Sequence, residues 1–132
     1  MTRQNFTGSS PYEPIIGFSR AVRAGNAIFV SGTGPVGADE ADVETQTRRI
    51  FQIAAEVLDR AGSSLNDVVR TRMYLTHAAD WEAVGRVHGE IFKHILPAAT
   101  MVVVAQLLNP KWRVEIELDA IIQPAIPGAE GK

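Results

Sequence analysis

The sequence contains no cysteine, which excludes disulfide bonds, thiol nucleophiles and cysteine-ligated metal sites. Aromatic residues make up only 7% of the 132 residues, and no apolar run approaches the roughly 18 residues needed to span a bilayer. The N-terminal segment lacks the apolar stretch of a secretory signal. These absences predict a cytoplasmic protein with no membrane partner.

An excess of either charge is also absent. The chain has 13 Lys and Arg residues against 15 Asp and Glu residues, for a net charge of -2. Because binding to a phosphate backbone needs a basic surface, we expect no nucleic-acid partner. His77, His88 and His94 are not spaced as ligands of one metal ion, so we also expect no metal and no cofactor.

The hydrophobic pattern predicts one α+β domain over residues 1–132. Residues 1–16 are rich in Gly, Ser, Thr and Pro and are predicted to be a loose lead-in, and residues 124–132 a flexible tail. Between them the pattern predicts the order ββαβαββ. Strands are predicted at 18–23, 27–31, 68–76, 100–107 and 113–122, and helices at 42–61 and 81–95.

Turn and cap residues mark the limits of these elements. Gly25 and Asn26 tolerate positive φ and predict a hairpin between the first two strands. Gly62 lies where the first helix should end. Asp80 is the predicted N-cap of the second helix, and Pro97 is predicted to stop that helix.

Two helices of this length cover only one face of such a sheet. The other face is predicted to carry Tyr74, Met101, Val103 and Ile121. The strand at 100–107 is nearly all apolar, which is expected when both of its faces are covered. We therefore expect closed cyclic self-association of the chain over the uncovered face.

The last predicted strand carries three acids on one face. Glu115, Glu117 and Asp119 alternate with apolar residues, and neighbouring acids lie about 6.6 Å apart along a strand. One interpretation is a solvated or salt-bridged face, with arginines of neighbouring strands as partners. The other is that Glu117 faces a ligand cleft and orients a water molecule or a substrate nitrogen.

Two further features are candidates for chemistry. His88 lies on the apolar stripe of the second helix, either as a packed core residue or as a proton carrier at a subunit boundary. The segment Ser31-Gly32-Thr33-Gly34 offers backbone N–H groups and hydroxyls at a strand end. Such a segment can hold a carboxylate or phosphate, although short glycine-rich turns are also common.

Three stretches together resemble the RidA/YjgF family, formerly named endoribonuclease L-PSP. Residues 24–32, AGNAIFVSG, resemble its GN-hydrophobic-SG hairpin. Leu96-Pro97-Ala98 resembles its P-A-R-S motif, and residues 113–117, RVEIE, resemble its closing VEIE strand. The resemblance spans residues 17–122, which is nearly the whole chain.

The resemblance implies a chorismate-mutase-like α+β fold, with two helices on one face of a mixed sheet. It also implies a homotrimer with three clefts between subunits. The implied activity is the cofactor-free hydrolysis of enamine or imine intermediates, such as 2-aminoacrylate, to keto acids and ammonia. The implied ligand is a small molecule that carries a carboxylate.

The site residues that the resemblance implies are partly changed in this chain. The motif arginine that clamps the substrate carboxylate is Ala99 here, and the cleft tyrosine is Phe18. Thr100 keeps a hydroxyl for polar substrate atoms, and Glu117 keeps the acid that positions water. Loss of a charge-assisted anchor typically costs about 2–5 kcal/mol, so a second anchor is expected.

Arg20 and Arg72 are the candidate replacements for that anchor. Gly32 and Thr33 are expected to bind polar substrate atoms, and His88 to relay a proton. These assignments complete the predicted site.

Three other functions stay open. A non-catalytic binding or sensing trimer would use the same cleft without turnover. A nuclease or translation inhibitor, as older family names suggest, conflicts with the net charge of -2 and the lack of an aromatic-basic cluster. A chorismate mutase shares the architecture and needs several cations for its dicarboxylate, but the motifs fit the RidA/YjgF family better.

Overall fold

Residues 2–124 of the chain are described by a computed structural model. They form a mixed sheet of six strands with two helices on one face. The strands are β1 (Arg3–Phe6), β2 (Ala21–Ala24), β3 (Ala27–Thr33), β4 (Val68–Leu75), β5 (Ala98–Val103) and β6 (Val114–Ile121). The helices are α1 (Val43–Arg60) and α2 (Trp81–Phe92). The strand order is β1-β2-β3-β6-β4-β5. Within the described residues, no helix has the length and apolar character to cross a membrane.

Both predicted helices and all five predicted strands are present, with somewhat different ends. α1 begins after Asp42, whose carboxylate accepts a hydrogen bond from the Thr45 N–H at 2.8 Å. Gly62 follows the end of α1 with a φ of +85°, and Gly25 turns the chain between β2 and β3 with a φ of +61°. The predicted order of elements is therefore confirmed, apart from an additional first strand.

The prediction of a loose lead-in is wrong for much of residues 1–16. β1 pairs antiparallel with β2 along its whole length, and Glu13–Gly17 forms a helical turn. The sequence of β1 is largely polar, so it has no alternation from which a strand could be predicted. Pairing with its neighbour orders it instead. Of the predicted tail, residues 125–132 lie outside the described residues.

The second helix ends earlier than predicted, and Asp80 does not cap it. α2 stops at Phe92, and Leu96 takes a φ of +53° before Pro97 is reached. The Asp80 side chain makes no cap hydrogen bond. Its two oxygens instead accept bonds from Nε and Nη2 of Arg113, each at 2.9 Å. This bidentate pair ties the start of α2 to the start of β6.

The hydrophobic core lies between the helices and one face of the sheet. β6 alternates as predicted, because Val114, Ile116, Leu118 and Ala120 are each at most 1% exposed. Successive side chains of a strand point to opposite faces, so the acids between them lie on the face that the helices leave uncovered. That face is called the open face below.

The register of β5 corrects part of the predicted open face. β5 is an edge strand parallel to β4, with Met101 opposite the buried Met73 and Val102 opposite Tyr74. Met101 and Val103 therefore lie on the helix side, and Val102 lies on the open face. The strand ends at Val103, well short of residue 107.

The open face carries exposed apolar residues in a single chain. Phe29, Val102 and Ile121 are 50%, 42% and 44% exposed. Most residues of β5 are exposed as well. Other parts of the same chain therefore do not bury this nearly all-apolar strand. Such a surface favours a protein partner.

Candidate active site

A pocket of about 330 Å³ opens where β3 ends and β6 begins. Its lining combines polar residues with apolar residues, three of which carry aromatic rings; the two sets are called the polar wall and the apolar wall below. The polar wall consists of Ser10, Arg20, Ser31, Gly32 and Glu115. The apolar wall consists of Tyr12, Ile16, Phe18, Val36, Leu108 and Trp112. Three of the predicted site residues, Phe18, Arg20 and Gly32, thus share one pocket.

Glu115 is the carboxylic acid of this pocket. It lies near the start of β6, and its side chain fits against Gly32 because glycine has no Cβ. A Cβ at Gly32 would lie 2.5 Å from Oε2 of Glu115. Burial raises the pKa of the Glu115 carboxyl, Glu117 adds to this, and Arg20 opposes it. The pocket therefore contains a carboxylic acid with a raised pKa.

Arg20 is a buried cation in the same wall, only 4% exposed. Its guanidinium donates to the Gly32 carbonyl, and Nη1 lies 3.9 Å from the buried Glu13 carboxylate. Within residues 2–124, its Nε has no acceptor. Burial lowers the pKa of Arg20, while Glu13 and Glu115 act in the opposite direction. The guanidinium also lies 5.4 Å from the centre of the Phe18 ring, within cation–π range.

Trp112 forms the aromatic part of the apolar wall. The indole is 6% exposed, and its Nε1 donates to Oδ1 of Asp39 at 2.8 Å. The Tyr12 ring meets it edge-on at 6.3 Å between ring centres. A Cβ at Gly34 would overlap the indole ring, so Gly34 is needed for this packing.

Glu117 has different surroundings from Glu115, although both lie on the open face of β6. Its Oε1 accepts a hydrogen bond from the Tyr74 hydroxyl, and its Oε2 lies 3.7 Å from Nη1 of Arg72. Arg72 also lies 3.4 Å from Asp119. The hydrogen bond to Glu117 raises the pKa of Tyr74, and burial adds to it. Neither Glu117 nor Arg72 lines the pocket within one chain.

Ala99 and Thr100 lie on β5, and β4 separates this strand from β6 in the sheet. Ala99 is opposite Thr71, on the helix side, and is exposed at the edge. Thr100 is on the open face, where its hydroxyl accepts a hydrogen bond from Nη2 of Arg70 at 3.0 Å. A single chain therefore does not bring these two predicted residues to the pocket of Glu115.

Neither His88 nor Thr33 lines the pocket, although Thr33 lies between Gly32 and Gly34, which do. Nε2 of His88 is 2.8 Å from the Thr71 hydroxyl on the helix side of the sheet. The His88 ring packs against the Phe92 ring, with 4.6 Å between the ring centres. Burial lowers the pKa of His88. Thr33 is 1% exposed and donates its hydroxyl proton to the Ser31 carbonyl. No cluster of metal-ligating side chains occurs in the described part of the chain.

Comparison with known proteins identifies the group to which this architecture belongs. The family model described as endoribonuclease L-PSP matches residues 7–122. The chain belongs to this family, also called RidA/YjgF. The predicted family is thereby confirmed.

Individual relatives in the RidA/YjgF family agree over most of the chain. A RutC family protein of Pyrococcus abyssi is 37% identical over 121 residues, which cover 88% of this chain and 92% of that protein. The protein named 3-aminoacrylate deaminase RutC of Acinetobacter baylyi is 32% identical over 108 residues, which cover 78% and 85%.

A solved structure confirms the predicted fold of this RidA/YjgF chain. A member of the YjgF/YER057c/UK114 family from Mycobacterium tuberculosis superposes with a TM-score of 0.86 at 40% identity. The alignment covers 92% of this chain and 100% of that one. The chain therefore has the chorismate-mutase-like α+β fold.

Sequence analysis identified neither Glu115 as the acid of the pocket nor Trp112 and Tyr12 as part of its lining. Glu115 shares its face with Glu117, so alternation alone does not choose between them. The signal that separates them is Gly32, which leaves room for one carboxylate beside the backbone. Trp112 and Tyr12 lie outside the strands and helices, where no periodic pattern points to them.

Proposed function

We propose that this RidA-family chain binds a small carboxylate-bearing metabolite in clefts between the subunits of a homotrimer. There it hydrolyses the enamine or imine form of that metabolite to a keto acid and ammonia. The observation that carries the proposal is the Glu115 carboxyl, which is half-buried beside Gly32 in the pocket lining and has a raised pKa. In support, a relative is named for the deamination of 3-aminoacrylate, which is an enamine with a carboxylate.

The homotrimer is supported by what one chain leaves uncovered. The open face exposes Phe29, Val102 and Ile121, and one edge of β5 lacks a strand partner among the described residues. If copies of the chain cover these groups, apolar surface is removed from water. In a closed ring with rotational symmetry, every copy is covered in the same way. In this arrangement a neighbour's β5, with its Thr100 hydroxyl, would border the pocket. Sedimentation should give a trimer, and a stable single chain at micromolar concentration would contradict the assembly.

The proposed reaction consumes one water molecule and needs a group that moves protons. An enamine first takes a proton on carbon to become an imine, and water then adds to the C=N bond. In the resulting carbinolamine, the hydroxyl proton is transferred to the nitrogen, and the C–N bond breaks as the C=O bond of the keto acid forms, so that ammonia leaves. Because burial raises its pKa, Glu115 is suited to donate and recover protons through these steps. This assigns to Glu115 the proton relay that the sequence analysis gave to His88, and makes Glu115, rather than Glu117, the acid of the site.

Arg20 is the better candidate for the substrate carboxylate of the two arginines predicted as anchors. It lines the pocket together with Glu115, and its buried Nε has no acceptor in residues 2–124. Arg72 lies between the carboxylates of Glu117 and Asp119 and does not line the pocket within one chain. We assign no step to His88, since it lies between α2 and the helix side of the sheet, away from the pocket.

The test is hydrolysis of freshly generated 2-aminoacrylate, followed as pyruvate and ammonia release against a buffer blank. We expect acceleration by the wild-type trimer, and a loss of that acceleration in Glu115→Gln. Release no faster than in buffer would contradict the hydrolase.

The alternative is a non-catalytic binding or sensing trimer that uses the same pocket. It is favoured by one specific feature, Ala99, which stands where the family motif has an arginine. It predicts that keto acids raise the unfolding temperature of the protein without any imine turnover. The two measurements together separate the two functions.

A further inference from the structure

The two walls of the pocket have different chemistry, which bears on the side chain of the substrate. The groups that we assign to the reacting atoms and the carboxylate, Glu115 and Arg20, belong to the polar wall. Tyr12, Leu108 and Trp112 belong to the apolar wall and take no part in the proposed hydrolysis. An apolar wall of this kind contributes binding energy only to a ligand that has apolar atoms to place against it.

The apolar wall is held in place before any ligand arrives. Trp112 donates to Asp39 at 2.8 Å, stacks edge-on with Tyr12, and lies against the bare backbone of Gly34. Three independent contacts thus fix the indole ring. A ring fixed in this way does not fold inward to fill space that a small ligand leaves empty.

The backbone on both sides of Trp112 is anchored as well. The buried Gln46 side chain of α1 donates to the Lys111 carbonyl at 3.1 Å and accepts from the Arg113 N–H at 2.9 Å. These bonds tie the segment that carries the indole to the helix layer. The wall is therefore preorganised, which lowers the entropic cost of binding a matching ligand.

The volume of the pocket within one chain also leaves room for a substrate larger than three carbons. It is about 330 Å³, at the lower end of the roughly 300–1,000 Å³ range of small-molecule sites. 2-Aminoacrylate has no side chain beyond its methylene group and would leave the aromatic wall without a contact. A ring or branched chain at that position would fill it.

We propose that the pocket selects 2-imino acids with a large apolar side chain, best an aromatic one, over 2-aminoacrylate and its imine. The turnover part of this inference rests on the proposed hydrolysis, whereas the binding part does not. Burial of an aromatic side chain should favour the phenylalanine-derived imine by roughly 10- to 100-fold in kcat/KM over the alanine-derived one.

The turnover experiment supplies each imine by the action of an amino acid oxidase on phenylalanine or alanine, and measures keto acid and ammonia release. Trp112→Ala should lower kcat/KM for the phenylalanine imine about 10-fold and change the alanine imine by about 2-fold or less. Trp81→Ala is the matched control, because Trp81 is 58% exposed on α2 and does not line the pocket. It should change neither value.

A second variant covers the case in which removal of the indole unfolds the protein. Leu108 lines the same wall but is 64% exposed, so Leu108→Ala removes apolar contact without opening the core. It should lower the preference for the phenylalanine imine about 3-fold or more. An unchanged preference in folded Trp112→Ala or Leu108→Ala would overturn the assignment of the wall.

The binding experiment uses the product keto acids and needs no turnover. Phenylpyruvate should raise the unfolding temperature of the wild-type protein more than pyruvate does at equal concentration. Equal or greater stabilisation by pyruvate, or faster hydrolysis of the alanine imine, would overturn the inference. Absence of turnover with both imines, together with stabilisation by phenylpyruvate, would reject the hydrolase and retain the selectivity.

Discussion

Glu115 and Glu117 lie two residues apart on β6 and share the open face, yet they occupy two different regions of the molecule. Glu117 lies among partners, with the Tyr74 hydroxyl on one oxygen and Arg72 near the other. Glu115 lies in a pocket wall, where burial opposes its ionisation and Arg20 compensates only in part. A carboxylate bonded to neighbouring side chains usually stabilises a structure, whereas a carboxyl whose pKa is raised in a pocket is a candidate for proton transfer.

The largest expected effect separates these two acids directly. Glu115→Gln should reduce the rate of imine hydrolysis by about 10²- to 10⁴-fold, because a positioned general acid or base contributes that much. Glu117→Gln is the control and should change the rate less than about 10-fold. The measurement is kcat for both variants on the same imine. A greater loss in Glu117→Gln would reverse the assignment.

The same pair should also differ in how stability depends on pH. The folded-state pKa of Glu115 is raised, so its favourable contribution is complete below the ordinary carboxyl pKa and is lost as the pH rises through the folded-state pKa. Because Gln stays neutral at every pH, Glu115→Gln should unfold at a higher temperature than wild type at neutral pH. The difference between the two unfolding temperatures should be smaller in acid. Thermal unfolding across pH checks this, and a gap that grows in acid would contradict it.

The next effect concerns the two arginines that accompany the acids. Arg20→Met should weaken binding of a keto acid by at least about 30-fold, because it removes a buried charge from the pocket wall. Arg72→Met, on the open face, should change the affinity by less than about 3-fold. Calorimetric titration with phenylpyruvate measures both. If Arg72→Met had the larger effect, Arg72 would be the anchor.

A single methyl group at Gly32 should reduce the hydrolysis rate by no more than Glu115→Gln does. Gly32→Ala would force the Glu115 carboxylate to move, since the new Cβ would lie 2.5 Å from Oε2. Misplacement of a catalytic group by about 1 Å typically costs about 10²-fold in rate. Gly85→Ala on α2 is the matched control, because a Cβ there meets nothing within 4 Å. Equal rates for the two variants would show that the carboxylate position is unimportant.

The smallest expected effect belongs to the open face. Tyr74→Phe removes the hydroxyl that donates to Glu117 and should cost about 1 kcal/mol of folding stability. Its hydrolysis rate should stay near that of wild type. Chemical denaturation and a rate assay on the same preparation measure both quantities. A large loss of rate with unchanged stability would move Tyr74 into the active site.

Much of the fold followed from local patterns in the sequence. The alternation of β6 and the stripe of α1 each bury one face, so periodicity was enough to predict them. β1 had no such signal, because its residues are ordered by pairing with β2. Asp80 was predicted as a cap, but Arg113, distant in sequence, offers its carboxylate two hydrogen bonds.

The site was less predictable, because it depends on register between distant strands. Thr33 pairs with Ile116, after an irregularity that follows Val30, and this places Gly32 beside Glu115. A sequence shows which side chains share a face but not which of them meets a glycine on the next strand. The aromatic wall has the same origin, since Trp112 and Gly34 come together only in the folded chain.

The measurement that tests the account most directly is a carboxyl carbon NMR titration of the glutamates in the wild-type protein. The signal of Glu115, identified by its absence in Glu115→Gln, should titrate at a higher pH than an ordinary glutamate. Titration of that signal at or below the ordinary glutamate pKa would contradict the claim that the pocket raises the pKa of this acid.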